Sequence, residues 1–225
     1  MAATTASRLL IAAGLALVTS ALVGCSVGPD SGLGASHPPG QPVAAFYGDS
    51  YTRGTGVSDP ALRWSTQICK DRDWAEVNPS VDGLGFVINR GLLQNDLVEL
   101  IVAEEPDIVL VTMGLNDNFA MPGEASEIES AIRDDVKTFA DELPDAHLVV
   151  VEPFWYTDER PASVDTIIGW VRDAAADVGA DYIAGASRWL DGHPGWIAPD
   201  GIHPNDAGHT EIAERMGEEL TKLGL

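Results

Sequence analysis

Five short apolar runs recur along this chain, and a longer segment of helical period follows most of them. The runs are 43–47 (VAAFY), 74–78, 107–113 (DIVLVTM), 147–151 and 181–184. Residues 92–103 carry Leu93, Leu97, Leu100 and Ile101, 127–143 carry Ile128, Ile132, Val136, Phe139 and Leu143, and 163–178 carry Ile167, Ile168, Val171, Ala175 and Val178. Apolar residues three and four apart share one face of a helix. Residues 60–72 can form a further helix, with Asp59 as cap and Pro60 in its first turn. Residues 205–220 form the last one. Pro106, Pro144 and Gly179 stop three of these helices. Strands without polar alternation are buried on both faces, as parallel strands are. The predicted fold class is therefore α/β, a three-layer α/β/α sandwich on a mainly parallel sheet. In such sheets the working residues lie in loops beyond the strands' carboxyl ends.

The chain of 225 residues suits one domain plus a targeting segment. A chain of this size buries roughly 70 % of its unfolded surface, so it needs no disulfide or metal to fold. Its 35 acidic residues face 13 basic ones, a net charge of −22. Nucleic acid is excluded as a partner, because phosphate binding needs clustered Lys and Arg. Anionic headgroups repel such a surface. A soluble monomer is expected.

The first residues are a different object. Residues 9–23 are almost wholly apolar, and Arg8 is the only charge before Asp30. This is the pattern of a signal peptide over 1–24, too short for a confident membrane span of about 20 apolar residues. Leu22, Val23, Gly24 and Cys25 resemble the lipobox of bacterial lipoproteins, which implies lipidation at Cys25. A plain secretory signal or an uncleaved anchor are the alternatives. Residues 25–42, rich in Gly, Ser and Pro, read as the lipidated Cys and a flexible tether. The protein is expected on the outer face of the cell membrane, or secreted, touching membrane only through its anchor. The folded domain is expected over 43–225. With Cys25 lipidated, Cys69 has no partner; it falls among Trp64 and Ile68 and reads as a buried, inert thiol.

Four motifs stand at element boundaries. Gly48, Asp49 and Ser50 follow the first strand. A loop over 78–83, ending at Gly83, follows the second. Gly114, Leu115, Asn116 and Asp117 follow the third. Asp200, Gly201, Ile202 and His203 precede the last helix. In this order they resemble the blocks of the SGNH (GDSL-type) hydrolase family, from about Val43 to the C-terminus. The resemblance implies the flavodoxin-like SGNH fold and a serine ester hydrolase without cofactor. It implies Ser50, His203 and Asp200 as catalytic residues. It implies an oxyanion hole from the Ser50 and Gly83 N–H groups and the Asn116 amide.

The chemistry is coherent. A serine hydroxyl needs a base, and His203 can take its proton and return it to the leaving alcohol. Asp200 can orient the imidazole and stabilise its cation. The tetrahedral oxyanion needs aimed donors. Asp49 and Asp117 are expected to brace their loops through backbone hydrogen bonds. His209, the competing base, is expected to face solvent or cap the last helix. His193 reads as a loop residue that can line the site.

The chain departs from the family at Tyr51, where Leu is frequent, and at Asp82, which precedes Gly83. A carboxylate aimed at the oxyanion would oppose its charge, so Asp82 should point outward. Gly85 is the alternative to Gly83. Trp155, Tyr156, Trp189 and Trp196 stand between core and site roles.

The Gly-x-Ser-x-Gly elbow, the zinc His-Glu-x-x-His and the P-loop are absent, and the scattered histidines make no metal site. The substrate is a small-molecule, glycan or lipid ester, with short-chain or O-acetyl esters favoured. An acyltransferase acting on surface glycans through the same serine is one alternative. A non-catalytic surface-binding lipoprotein is the other.

Overall fold

The computed structural model describes residues 33–225; the expected signal segment and Cys25 lie outside the described residues. Five strands form one sheet: β1 (Val43–Tyr47), β2 (Ala75–Val77), β3 (Ile108–Val111), β4 (His147–Val151) and β5 (Asp181–Ile183). Their order is β2-β1-β3-β4-β5, and every neighbouring pair is parallel. Parallel pairing needs a crossover between strands. The helices α1 (Ser50–Arg53), α2 (Trp64–Arg72), α3 (Leu97–Ala103), α4 (Ala125–Glu142), α5 (Ala162–Val178) and α6 (Asp206–Lys222) lie in these connections and after β5.

Successive strand side chains point to opposite faces of the sheet. Phe46, Leu110 and Val149 pack with Trp64 and Ile68 of α2 and with Ile212, Met216 and Leu220 of α6. On the other face, Ala45, Val109 and Val150 meet Ile101 of α3, Ile128 and Phe139 of α4, and Val171 of α5. The result is two apolar cores and three layers. Each fully buried side chain of this kind contributes about 1.5–3 kcal/mol. Cys69 is buried among these residues, and desolvation raises its thiol well above the usual range. Its burial is as expected.

Several boundaries differ from the periodicity. The helix expected over 60–72 is interrupted at Arg63, whose backbone turns extended (ψ 134°) between the 3₁₀ turn Pro60–Leu62 and α2. The helix expected from residue 92 begins at Leu97, because the Asp96 side chain accepts the Val98 N–H at 2.9 Å and caps it there. The described end of the expected tether carries no helix or strand, but it is fastened to the domain. Leu33 packs against the core, and the Gly34 N–H donates to Glu104 at 2.6 Å. No helix among the described residues is long and apolar enough to cross a membrane.

Candidate active site

Ser50 opens α1 at the carboxyl end of β1, the central part of the sheet. The sequence turns sharply there for a physical reason. Asp49 is extended and accepts the Tyr51 N–H at 2.9 Å, which caps the helix. Gly48 lets the turn pass close to β3, since a Cβ there would lie 2.5 Å from the Thr112 Oγ1. Thr52 and Thr112 share a hydrogen bond of 2.6 Å across this gap. The short helix α1 was not foreseen from periodicity, being only 4 residues long.

His203 stands before α6 and reaches Ser50 across 153 residues of chain, with Nε2 3.0 Å from Oγ. Its Nδ1 lies 2.7 Å from Asp200 Oδ2. Asp200 Oδ1 accepts the N–H groups of Ile202 at 2.9 Å and His203 at 3.0 Å. The hydrogen bonds from His203 and from these two amides hold the Asp200 carboxyl low, at about 2. An ionised carboxylate only accepts, so Nδ1 carries the imidazole proton and Nε2 presents a lone pair to the Ser50 hydroxyl.

Two further contacts bind the 200–203 loop to the nucleophile's side. The Tyr51 hydroxyl donates to the Ile202 C=O at 2.5 Å, and its ring lies stacked 5.7 Å from Phe154. A buried tyrosine needs a partner for its hydroxyl, so this departure from the family's Leu adds a bond that Leu cannot make. Ser58 donates through both N–H and Oγ to Asp206 at 2.7 Å, holding the start of α6.

On the other flank, Asp49 is buried and its carboxyl is pushed up to about 7, chiefly by desolvation. Asp117 is also buried. It accepts the N–H groups of Phe86 at 2.8 Å, Val87 at 2.9 Å and Ile88 at 3.3 Å. Both carboxylates thus brace their loops, as expected. Desolvation raises Asp117 against the pull of these bonds.

The bracing separates Gly83 from Gly85. The Gly85 N–H donates to the Ile88 C=O at 2.9 Å, and a Cβ on Gly85 would lie 2.5 Å from the Asp117 carboxylate. Gly85 is a packing position, and the alternative falls away. The Gly83 and Ser50 N–H groups have no acceptor among the described residues. Asp82 points outward, to Arg53 and to the Thr55 hydroxyl. The Asn116 amide donates to the Leu84 C=O at 2.8 Å and, at a long 3.4 Å, to Asp49 Oδ2.

His209 corrects the reading from the chain. It is fully buried, neither solvent-facing nor a cap. Asn205 caps α6 instead, accepting the Ala207 and Gly208 N–H groups. The His209 Nδ1 accepts the Trp64 N–H at 3.4 Å, and Nε2 has no partner among the described residues. Burial lowers its pKa to about 4. Its position on the inner face of α6, three residues before Ile212, was the available signal. Trp155 and Trp189 are core. Tyr156 and Trp196 are half-buried, and His193 is stacked on Trp196 with centroids 3.7 Å apart. Among the described residues no three His, Cys, Asp or Glu side chains gather where they could hold a metal ion.

The model of the GDSL-like Lipase/Acylhydrolase family matches residues 46–210, a span that holds all of these groups. The chain belongs to this family. It is an SGNH-type ester hydrolase. Its relatives include GDSL lipase Rv0518 of Mycobacterium tuberculosis, 29 % identical over 186 residues that cover 78 % of this chain and 79 % of the relative. The psychrotrophic esterase EstA from Pseudoalteromonas sp. shares the fold, with a TM-score of 0.63 and 17 % identity over 80 % of this chain and 97 % of that one. So does Axe2, an acetylxylan esterase from Geobacillus stearothermophilus, with a TM-score of 0.61 and 20 % identity over 79 % and 93 %. At these identities the two structures speak for the fold of the SGNH hydrolase and no further.

Proposed function

We propose that this SGNH hydrolase is an exported serine esterase that cleaves short-chain or O-acetyl carboxylic esters through an acyl-enzyme. One observation carries the reading. The Ser50 hydroxyl, the His203 ring and the Asp200 carboxylate form a continuous hydrogen-bonded line, at 3.0 Å and 2.7 Å.

The steps follow from the protonation states. Nε2 takes the Ser50 proton as Oγ adds to the ester carbonyl. Asp200 stabilises the imidazolium that results. The carbonyl oxygen becomes an oxyanion, and the unpaired N–H groups of Ser50 and Gly83 are the available backbone donors. Asn116 joins them by exchanging its long bond to Asp49 for one to the oxyanion. The imidazolium then protonates the leaving alkoxide. Water, deprotonated by the same nitrogen, releases the acid and frees Ser50.

Short acyl groups are favoured because α1 and the 3₁₀ turn Asn116–Ala120 follow β1 and β3 within a few residues. The chain passes from β1 into α1 through Gly48 and Asp49 alone, with no long loop between strand and nucleophile. Export rests on the apolar segment over 9–23, and anchoring on Cys25. Labelled palmitate should enter the wild type and not Cys25→Ala; an unlabelled wild type would leave a freely secreted protein.

The decisive measurement is hydrolysis of p-nitrophenyl acetate, butyrate and longer esters by wild type and Ser50→Ala. Removing a serine nucleophile costs up to about 10⁶ in kcat in a comparable triad. Equal rates from the two proteins on every ester would overturn the proposal.

A further inference from the structure

A groove of about 650 Å³ opens on the carboxyl-end rim of the sheet, next to the catalytic loop. Its walls come from the segments after β4 and β5. Tyr156, Asp158 and Glu159 form one side, and His193 and Ile197 the other. Gly201, between Asp200 and His203 in the chain, brings the catalytic loop itself into the lining.

We propose that this groove is a subsite for the alcohol half of the ester, and that the alcohol is a neutral, polyhydroxylated one such as a sugar ring. The inference rests on the esterase reading above and deepens it. Three features point the same way.

The first is position. His203 must hand a proton to the leaving oxygen, so the alcohol departs on the side of the imidazole. The segment 197–201 that borders the groove leads directly into that residue. The proposed oxyanion donors, Gly83 and Asn116, instead follow β2 and β3.

The second feature is charge. No lysine or arginine lines the groove. Arg160, next along the chain, turns inward onto Asp191 and Ser187, with its side chain only 4 % exposed. A uronate or a phosphate ester would meet carboxylates and no countercharge. The third is shape and chemistry. The half-buried Tyr156 ring and the His193 ring, stacked on Trp196, supply flat apolar faces. The Glu159 carboxylate has no hydrogen-bond donor among the described residues and can accept from hydroxyls. Asp158 is already partly engaged, by the Gly192 N–H at 2.8 Å. Flat faces beside unoccupied acceptors suit a ring that is apolar above and below and hydroxylated at its edge.

The experiment compares two acetyl esters whose alcohols differ. Tyr156→Ala and His193→Ala should each lower kcat/KM on acetylated xylotetraose about tenfold, a difference of 1.4 kcal/mol. On methyl acetate, whose alcohol is too small to fill the groove, they should stay within about twofold of wild type, since no transition-state contact is lost there. Parallel losses on both esters, or no loss on either, would overturn the subsite. A selective loss on acetylcholine, with the sugar ester unchanged, would overturn the neutral alcohol in favour of a cation.

Binding is measured separately, so that a failed esterase reading is not mistaken for a failed groove. Calorimetric titration of Ser50→Ala with unacetylated xylotetraose should show binding that weakens about tenfold when Tyr156→Ala is added. No binding to the Ser50→Ala protein would end the proposal even if the ester were hydrolysed.

Discussion

Ser50 stands between two aspartates of opposite character. Asp49, its chain neighbour, is 1 % exposed and its carboxyl is raised to about 7 by desolvation. Asp200, across the site, has a side chain 46 % exposed and is lowered to about 2 by bonds from His203 and Ile202. The contrast teaches that burial and donor supply, not residue type, decide which carboxylate is a dependable ion. Asp200 holds its charge at any working pH and can stabilise an imidazolium. Asp49 can be neutral near pH 7 and serves as a cap and an anchor.

The two also act on stability in opposite senses. For Asp49 the folded state holds its proton more tightly than the unfolded chain. Its stabilising effect is full below the unfolded carboxyl value and is lost as pH rises toward about 7. For Asp200 the effect is present above the unfolded value and is lost as pH falls toward about 2.

Four substitutions break or sharpen this comparison, ranked by their effect on turnover. Asp200→Asn removes the fixed ion. It should lower kcat on p-nitrophenyl acetate by on the order of 10³, with KM little changed, because the Ile202 and His203 N–H groups keep the amide oxygen and turn its NH₂ toward Nδ1, which must then accept. A fall of only a few-fold would mean that His203 keeps its tautomer without Asp200.

Asp49→Asn acts on the other flank. The helix cap survives, since Asn caps as well as Asp. The acceptor facing the Asn116 amide can become a donor, so kcat should fall about tenfold, less than the roughly 10²–10³ that outright loss of one oxyanion donor costs. Urea unfolding should lose the decline in stability that Asp49 imposes between about pH 4 and 7. An unchanged pH profile of unfolding would show that Asp49 ionises freely in the folded protein.

Tyr51→Phe cuts the bond that joins the two flanks. The Ile202 C=O loses its donor, at a cost of about 1 kcal/mol in stability. Stopped assays should show kcat reduced several-fold at unchanged KM, as the 200–203 loop gains freedom. Equal kcat would reduce Tyr51 to a core residue.

His209→Gln should leave turnover within about twofold, because its ring is outside the catalytic line. Its effect is on acid stability. The lowered histidine pKa means that the unfolded chain binds the extra proton between pH 6.5 and about 4, so wild type loses stability as pH falls through that window. The full loss is on the order of 3 kcal/mol, and the variant should not show it. Thermal melts at pH 7 and 5 make the test; a parallel drop in both proteins would place the acid sensitivity elsewhere.

Much of this architecture was legible in the chain. The run DIVLVTM could only be a buried strand, and the helix faces of α4 and α5 followed from spacing. The four motifs located Ser50, Asn116, Asp200 and His203 at the right boundaries. Other features were not legible. Helix α1 is too short to show a period, and Asp49 and Gly48 make it through a cap and a close approach. Asp96 cut short the helix expected from residue 92, since a local side-chain bond outweighed the apolar pattern. His209 looked polar and therefore exposed, yet helical phase carried it inside with Ile212 and Met216.

From order and period alone, the chain determined the layered α/β fold, the family and the residues to suspect, because those signals act over a few neighbouring residues. Only the folded molecule decided that, among the described residues, Gly83 rather than Gly85 keeps an N–H without an acceptor, that Tyr51 grips the 200–203 loop, and that Asp49 is raised by burial while Asp200 is held low. Tyr51 meets Ile202 151 residues on, Phe86 meets Asp117 31 residues on, and the state of Asp49 depends on how much water is excluded around it. No local pattern encodes these meetings or that exclusion of water.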